Sequence, residues 1–375
     1  MNPETDSPHE LTAYAYHHLT RLLPPSSTPH PAAEKVEEEV RRWAMRTGLY
    51  GPGQESCLAR RKIGHLVGSC MHDAPTPVVR LTAHYLAWVF AFDDTVAEDA
   101  HRWSDTLARD LPHLLEHGTP TSNAPNASNA TNESNAPNEP NAPSAPNAPN
   151  ESNAPSAPNA PNTANDPNAQ ESDLIAALAD IRQDIVAAGG EPLLTQLAAG
   201  LRQYLDSCTR EPPWRATRMP PALGDYLCDR THTSGGHPLY LHRLAPGMPP
   251  LTEALPPAVI GLADLAFLIG GLANDLLGFA AEQQHDDPVN AVTVLAHEYR
   301  LPTPDAYRAT VILHATLTHR FTTDHARLLT DPGLSEPQRR FVVAIGGWVA
   351  GSAAATTPYW HHLQTQQPRA HRRPP

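Results

Sequence analysis

Two stretches of this sequence gather oxygen-bearing side chains where apolar runs end. In the first, Asp93, Asp94, Glu98 and Asp99 follow the run "LTAHYLAWVFAF". At about 100° per residue, Asp94 and Glu98 fall within about 40° of each other, with Asp93 one position round the same helix end. The C-terminal end of a helix carries partial negative charge, so such a cluster costs stability until a cation or a basic partner neutralises it. Alone, it reads as a solvated acidic helix end at least as readily as a hard-cation site.

The second stretch is "GLANDLLGFAAEQQHDDPVN", in which Asn274, Gly278 and Glu282 stand at i, i+4 and i+8. That spacing covers only about 80° of a helix circumference and about 12 Å of its axis. A neutral amide oxygen plus a carboxylate is hard-cation chemistry suited to Mg2+. An Asn–Asp pair satisfied by core neighbours is the competing reading while this stretch stands alone. Two oxygen-rich helix sites together shift the balance, because a pocket with Mg2+ on opposite walls accommodates a diphosphate. Between them, "YLCDRTHTSGGHPLY" supplies Arg230 followed by a Thr-Ser-Gly-Gly break. A guanidinium can take phosphate oxygens in a bidentate fork, although an Arg before a loop also serves as a plain helix cap. His232 and His237 lack the partners of a zinc site.

The elements that position these groups read as helices. "AEKVEEEVRRWAMRTGL" places Val36, Val40, Trp43 and Ala44 on one stripe before a "GPG" stop. Further helical segments are expected at about 54–67, 76–97, 100–115, 172–188, 192–208, 221–230, 256–282, 288–298, 302–330 and 335–362, and no run alternates as a half-buried strand does. The fold class is therefore all-α, with ten or more helices around one core. Residues 120–170 are little more than Asn, Ala, Pro and Ser. Such a tract lacks the apolar surface to offset chain entropy and reads as a disordered insertion. It divides one domain into an N-terminal half, 1–119, and a C-terminal half, 171–365, before a short tail, 366–375.

Composition bounds the partners. Lys and Arg total 27 against 40 Asp and Glu, a net charge of −13, and no stretch concentrates basic residues, which argues against nucleic acid. The four cysteines, Cys57, Cys70, Cys208 and Cys228, show no zinc or disulfide spacing and fit a reducing cytoplasm. The N-terminus has neither a basic start nor an apolar run, and the longest apolar stretch, 258–273, is short for a membrane span and contains Asp264. A cytoplasmic protein without a membrane anchor is expected.

With these motifs in hand, the sequence resembles the bacterial class I terpene synthases. "FAFDDTVAED" is similar to the family's aspartate-rich motif, "NDLLGFAAE" to its second metal motif, and "RTHTSGG" to its diphosphate-sensing Arg and helix-break effector. "WAMRTGLYGPG", "YLDSCTREPPWR" and "GGWVAGS" flank them in the family's order, and the resemblance covers about 22–362 outside the insertion. It implies a single-domain helical bundle around an apolar cavity, with three Mg2+ ions at its mouth. Asp93 would ligate two ions, supported by Asp94 and Glu98. Asn274 and Glu282 would ligate the third along the face of Gly278, with Asp275 orienting its neighbours and contributing to substrate binding. Arg230 would sense diphosphate, Thr233 would act as linker, and Ser234 or Gly235 would offer the effector carbonyl. The implied reaction is ionisation of an isoprenyl diphosphate, farnesyl diphosphate by default and geranylgeranyl diphosphate as rival, followed by cyclisation of the cation. A helical scaffold protein is the reading from another class.

The cation would be steered by aromatic faces. Candidates are Trp88, Phe90 and Phe92 before the first motif, Phe267 and Phe279 around the second, and Trp348, Tyr359 and Trp360 in the last helix. About half of them can face inward at helical spacing. Three departures from the family pattern stand out: Gly278 brings no hydroxyl, Ala281 replaces a frequent Lys, and the C-terminal Arg-Tyr pair is missing, with "TTPYWHHLQ" in its place. A homodimer is compatible with the resemblance.

Overall fold

A computed structural model describes residues 8–22, 28–51, 54–94, 105–119, 167–283 and 286–366. Among the described residues every regular element is helical. The N-terminal helices are α1 (Pro8–Leu22), α2 (Ala33–Arg46), α3 (Glu55–Arg61), α4 (Ile63–Cys70), α5 (Thr76–Phe92) and α6 (Asp105–His117). After the tract come α7 (Pro167–Ala187), α8 (Leu194–Cys208), α9 (Glu211–Thr217), α10 (Leu223–Thr233) and α11 (Pro257–Glu282). The last three are α12 (Ala291–Tyr299), α13 (Thr303–Leu329) and α14 (Glu336–Gln366).

Several of these depart from the sequence expectation. The segment expected over 54–67 is two helices, because Lys62 adopts a left-handed conformation, φ 47°, and turns a corner between α3 and α4. Helices α1 and α9 were not foreseen; α9 has its two prolines in the first turn, where missing N–H groups do no harm. Helix α7 begins at Pro167, inside the stretch assigned to the insertion, and α5 ends at Phe92 with Asp93 as its C-cap. The rest of the insertion lies outside the described residues, as does the tail beyond Gln366, where α14 ends.

Two helices carry the site because they can be buried on most of their circumference. In α5 every residue from Leu81 to Val89 is buried, and the helix lies among α2, α4, α7 and the 3₁₀ turn His237–Leu244. In α11, Pro257 sits in the first turn, and Val259, Leu262, Ala263, Ala266, Phe267, Ile269 and Leu272 are buried. That helix is apolar and long enough to cross a membrane by composition, yet it packs against α1, α10, α12, α13 and α14 inside the protein. Its burial is that of a core helix.

One core cluster runs from Val36 on α2 to Val349 on α14, so helices on both sides of the Asn-Ala-Pro tract share it. Helix α7 packs on α5 and α6 across the tract. A second cluster backs the C-terminal half of α11: Leu11, Ala15 and Leu19 of α1 meet Leu276, Leu277 and Phe279, with Tyr307 and Val311 of α13 behind them.

Candidate active site

At the end of α5, Asp93 and Asp94 diverge. Asp93 is partly buried, and the Tyr204 hydroxyl of α8 lies 3.5 Å from its Oδ1. Tyr204 is itself placed by an edge-to-face contact with Phe92, 5.9 Å between centroids. Asp94 pairs with Arg61 at the end of α3. The Arg61 guanidinium also lies 4.7 Å over the ring of Phe90. Burial raises the pKa of both carboxyl groups; for Asp93 this is opposed by the charges of Arg61, Arg230 and Arg215, in that order. Glu98 and Asp99, the remaining acids of the first motif, lie outside the described residues.

A second wall is built by α10 and α11. From α10, Arg230 Nη2 donates to the Gly271 carbonyl at 3.0 Å and to Asn274 Oδ1 at 3.0 Å, and it pairs with Asp275 Oδ1 at 2.8 Å. Its Nη1 lies 3.5 Å from the Thr233 hydroxyl. Asn274 is exposed, whereas Asp275, one position on, is buried. Asp275 also accepts from the Tyr226 hydroxyl and from the Ala291 N–H at 3.4 Å. Its oxygens are thus committed to protein donors, so it acts as the anchor of Arg230 and not as a direct contact for a ligand. Gly278 is buried on the same helix face, and Glu282 closes the row; burial pushes the Glu282 carboxyl up to about 7. Asn290 donates to Glu282 at 2.8 Å and to the Asp275 carbonyl at 3.0 Å while capping α12, which ties the start of α12 to the second motif.

The helix break lies between these walls. Gly235 has φ 67°, a left-handed conformation costly for other residues. A side chain at Gly236 would enter the ring of Phe267. Ser234 donates its hydroxyl to the Thr231 carbonyl at 2.9 Å.

A third component was not legible as part of the site. On α9, Glu211 pairs with Arg215 at 2.9 Å, and Arg215 reaches Asp287, beyond the second motif, at 3.4 Å. Burial pushes Glu211 up to about 7, and the charges of Asp93 and Arg230 both act on it. Arg230 likewise acts on Asp93 and on Glu282. The two motifs therefore share one electrostatic field, with Arg230 and Arg215 inside it. The i, i+4 Glu211–Arg215 pair is a sequence signal for α9; Arg61, Tyr204 and Tyr226 have none.

The aromatic candidates separate. Trp88 and Phe92 are fully buried and stack at 5.5 Å, with the Trp88 indole N–H donated to the Leu174 carbonyl at 2.8 Å. They are core side chains as they stand. Phe279 packs edge-on against Tyr307 in the second core cluster, behind α11. Phe267 borders a cleft of 170 Å³ with Thr231, His232, His237, Tyr240 and Asp264. Trp348 is buried on α14, where its carbonyl accepts from Cys70. The side chains of Tyr359 and Trp360 lie outside the described residues.

Every donor on the two walls is a carboxylate or amide oxygen, the set a hard divalent cation prefers. Asp93, Asp94 and Glu282 all carry raised pKa values because burial leaves their charge under-compensated, a deficit that bound cations would offset. Among the described residues no three His, Cys, Asp or Glu side chains gather around one point. The donors stand on separate walls.

The chain is similar in sequence and fold to known proteins. Residues 151–320 match the model of terpene synthase family 2, C-terminal metal binding. The chain is 27% identical over 328 residues to spiroviolene synthase from Streptomyces violens, covering 84% of this chain and 77% of that protein. A shorter stretch of 106 residues is 31% identical to a (+)-T-muurolol synthase of Streptomyces clavuligerus described as cyclising (2E,6E)-farnesyl diphosphate, covering 27% of this chain and 25% of that protein. The fold is similar to that of 2-methylisoborneol synthase from Streptomyces coelicolor, solved with Mg2+ and 2-fluoroneryl diphosphate: TM-score 0.69 and 19% identity, over 90% of this chain and 94% of that one.

Proposed function

Because the chain belongs to the bacterial class I terpene synthases, lyases acting on diphosphates, we propose that it ionises a linear isoprenyl diphosphate, farnesyl diphosphate first, and cyclises the carbocation to a terpene hydrocarbon or alcohol. The observation that carries this reading is Arg230, which is bonded to Asn274 and Asp275 on one wall while its charge acts on Asp93 on the other. Asp93, supported by Asp94 and Glu98, and Asn274 with Glu282 would hold Mg2+, three ions by the family resemblance, which when bound supplies Lewis-acid charge to the leaving diphosphate.

The chain's own groups do the rest. Arg230, held by Asp275 and Gly271, directs its guanidinium to the oxygens of the departing diphosphate, which takes the electron pair of the breaking allylic C–O bond. Thr233 steadies that guanidinium from the end of α10. Ser234, whose hydroxyl is donated to the Thr231 carbonyl, or Gly235 would offer its own backbone carbonyl in the helix break to the developing positive charge. No protein nucleophile is needed. Phe267, beside the break, supplies a ring face worth roughly 0.5–2 kcal/mol to a nearby cation. The resemblance to the T-muurolol synthase favours the fifteen-carbon substrate. A soluble cytoplasmic enzyme follows from the same reading.

Incubation of the purified chain with ten-, fifteen- and twenty-carbon isoprenyl diphosphates and Mg2+, followed by mass spectrometry of extracted volatiles, tests it. A cyclic product from the fifteen-carbon substrate is expected, and a product from the twenty-carbon substrate alone would make it a diterpene synthase. Asp93→Ala and Asn274→Ala should abolish turnover with unchanged helicity by circular dichroism. Substoichiometric product with every substrate would reject the enzyme reading in favour of a scaffold, whereas full activity in both variants would reject the site assignment.

A further inference from the structure

We propose that Arg61 is a positioning residue that divides the labour of the first acidic pair, holding Asp94 as a structural anchor so that Asp93 is left to the cation; the inference rests on the reading above. Arg61 grips α5 at two points one turn apart, the ring of Phe90 and the carboxylate of Asp94. Both lie on one stripe of the helix, since i and i+4 share a face. Arg61 itself is the last residue of α3, immediately before the left-handed corner at Lys62, from which α4 departs at once. The guanidinium therefore reaches α5 from a backbone corner and not from a free loop.

The neighbouring carboxylate faces elsewhere. Asp93 meets Tyr204 of α8, at a distance too long for a strong hydrogen bond, and Tyr204 is set by Phe92. Two adjacent carboxylates at a helix C-terminus repel each other and the helix dipole. Arg61 is in direct contact with Asp94 while its charge also acts on Asp93, which makes their roles unequal in contact: Asp94 is tied to Arg61, and Asp93, under the charges of Arg61 and Arg230, is the carboxylate offered to the cation. A plain surface ion pair would do less. Arg61 and Asp94 are each mostly shielded, with 22% and 27% of their side chains exposed, and the stacked ring removes water from one guanidinium face.

The test is steady-state kinetics of the full chain at varied Mg2+. Arg61→Ala should raise the half-saturating Mg2+ concentration about tenfold or more, the usual effect of removing a partner that orients a ligand, while kcat at saturating Mg2+ is largely retained. Arg61→Lys should recover part of the loss, because it keeps the charge and loses the fork. Asp94→Asn should likewise raise the half-saturating Mg2+ concentration, and the double variant should require no more Mg2+ than the worse single one. A Mg2+ requirement within twofold of the parent chain in Arg61→Ala overturns the proposal. So does a raised KM for the isoprenyl diphosphate at saturating Mg2+ with the metal requirement unchanged, which would make Arg61 a diphosphate contact instead. Should Arg61→Ala lose helicity, Arg61→Gln carries the same comparison. Calorimetric titration of the parent chain with Mg2+ and inorganic diphosphate separates the two levels: no binding there, together with no turnover, sinks the enzyme reading and Arg61's role with it, whereas an active parent beside an unaffected Arg61→Ala sinks Arg61 alone.

Discussion

Arg230 serves three acceptors on α11 at once, the Gly271 carbonyl, Asn274 and Asp275. A lysine ammonium cannot reproduce that planar fork. Arg230→Lys should therefore lower kcat/KM by about 10²-fold or more, a loss of roughly 2.7 kcal/mol in transition-state stabilisation by the measure of one donor group, with Mg2+ half-saturation measured alongside. Away from the site, His84 stacks on Trp43 at 4.4 Å, and among the described residues neither of its ring nitrogens has a hydrogen-bond partner. Its pKa is lowered to about 4, chiefly by burial and then by the charges of Arg80 and Arg46, with Asp180 opposing, while Asp184 lies 3.9 Å away. Between pH 6.5 and 4 the folded state binds fewer protons here than the unfolded chain, so this contribution to stability is present above about 6.5 and is lost as pH falls toward 4. His84→Phe keeps the stack and removes the titration. Urea unfolding at pH 7 and pH 4.5 should show the variant gaining on the parent chain at the lower pH by up to about 3 kcal/mol; parallel pH dependences would refute the assignment.

At the level of elements, the helix break is the most constrained piece of backbone beside the site. Gly235 holds a left-handed φ with Val89 close to where a Cβ would stand, and Gly236 lies flat against Phe267. The break was legible as a Thr-Ser-Gly-Gly sequence, but nothing in the sequence paired it with the ring thirty-one positions on. Gly236→Ala must displace Phe267, so we expect about 1–3 kcal/mol of destabilisation by overpacking together with a fall in kcat, read by thermal unfolding and by kinetics. Unchanged values for both would mean that the ring moves freely. The α3–α4 corner shows the complementary limit. The sequence over 54–67 has the composition of one helix, and only the left-handed Lys62 divides it, because a single residue's dihedral angles are set by what the flanking helices pack against.

Across the whole molecule, α5, α6 and α7 pack together although the Asn-Ala-Pro tract separates α6 from α7 in sequence. Among the described residues, one core joins helices from both sides of the tract. Replacing 120–166 by a Gly/Ser linker of about eight residues should leave kcat unchanged and stabilise the chain by about 1–2 kcal/mol, since loop-closure entropy grows only with the logarithm of length. A loss of solubility or of rate would show that the tract has its own role. The sequence by itself determined what is local: the helical class, because apolar residues recur at helical spacing, and the two oxygen-donor faces, because i and i+4 positions must share a side of one helix. Only the tertiary structure decided which cation serves which carboxylate. Arg61 meets Asp94 across 33 positions and Arg215 meets Asp287 across 72, and such pairings depend on how whole helices pack to bury the core, a sum over many side chains that no single spacing in the sequence encodes.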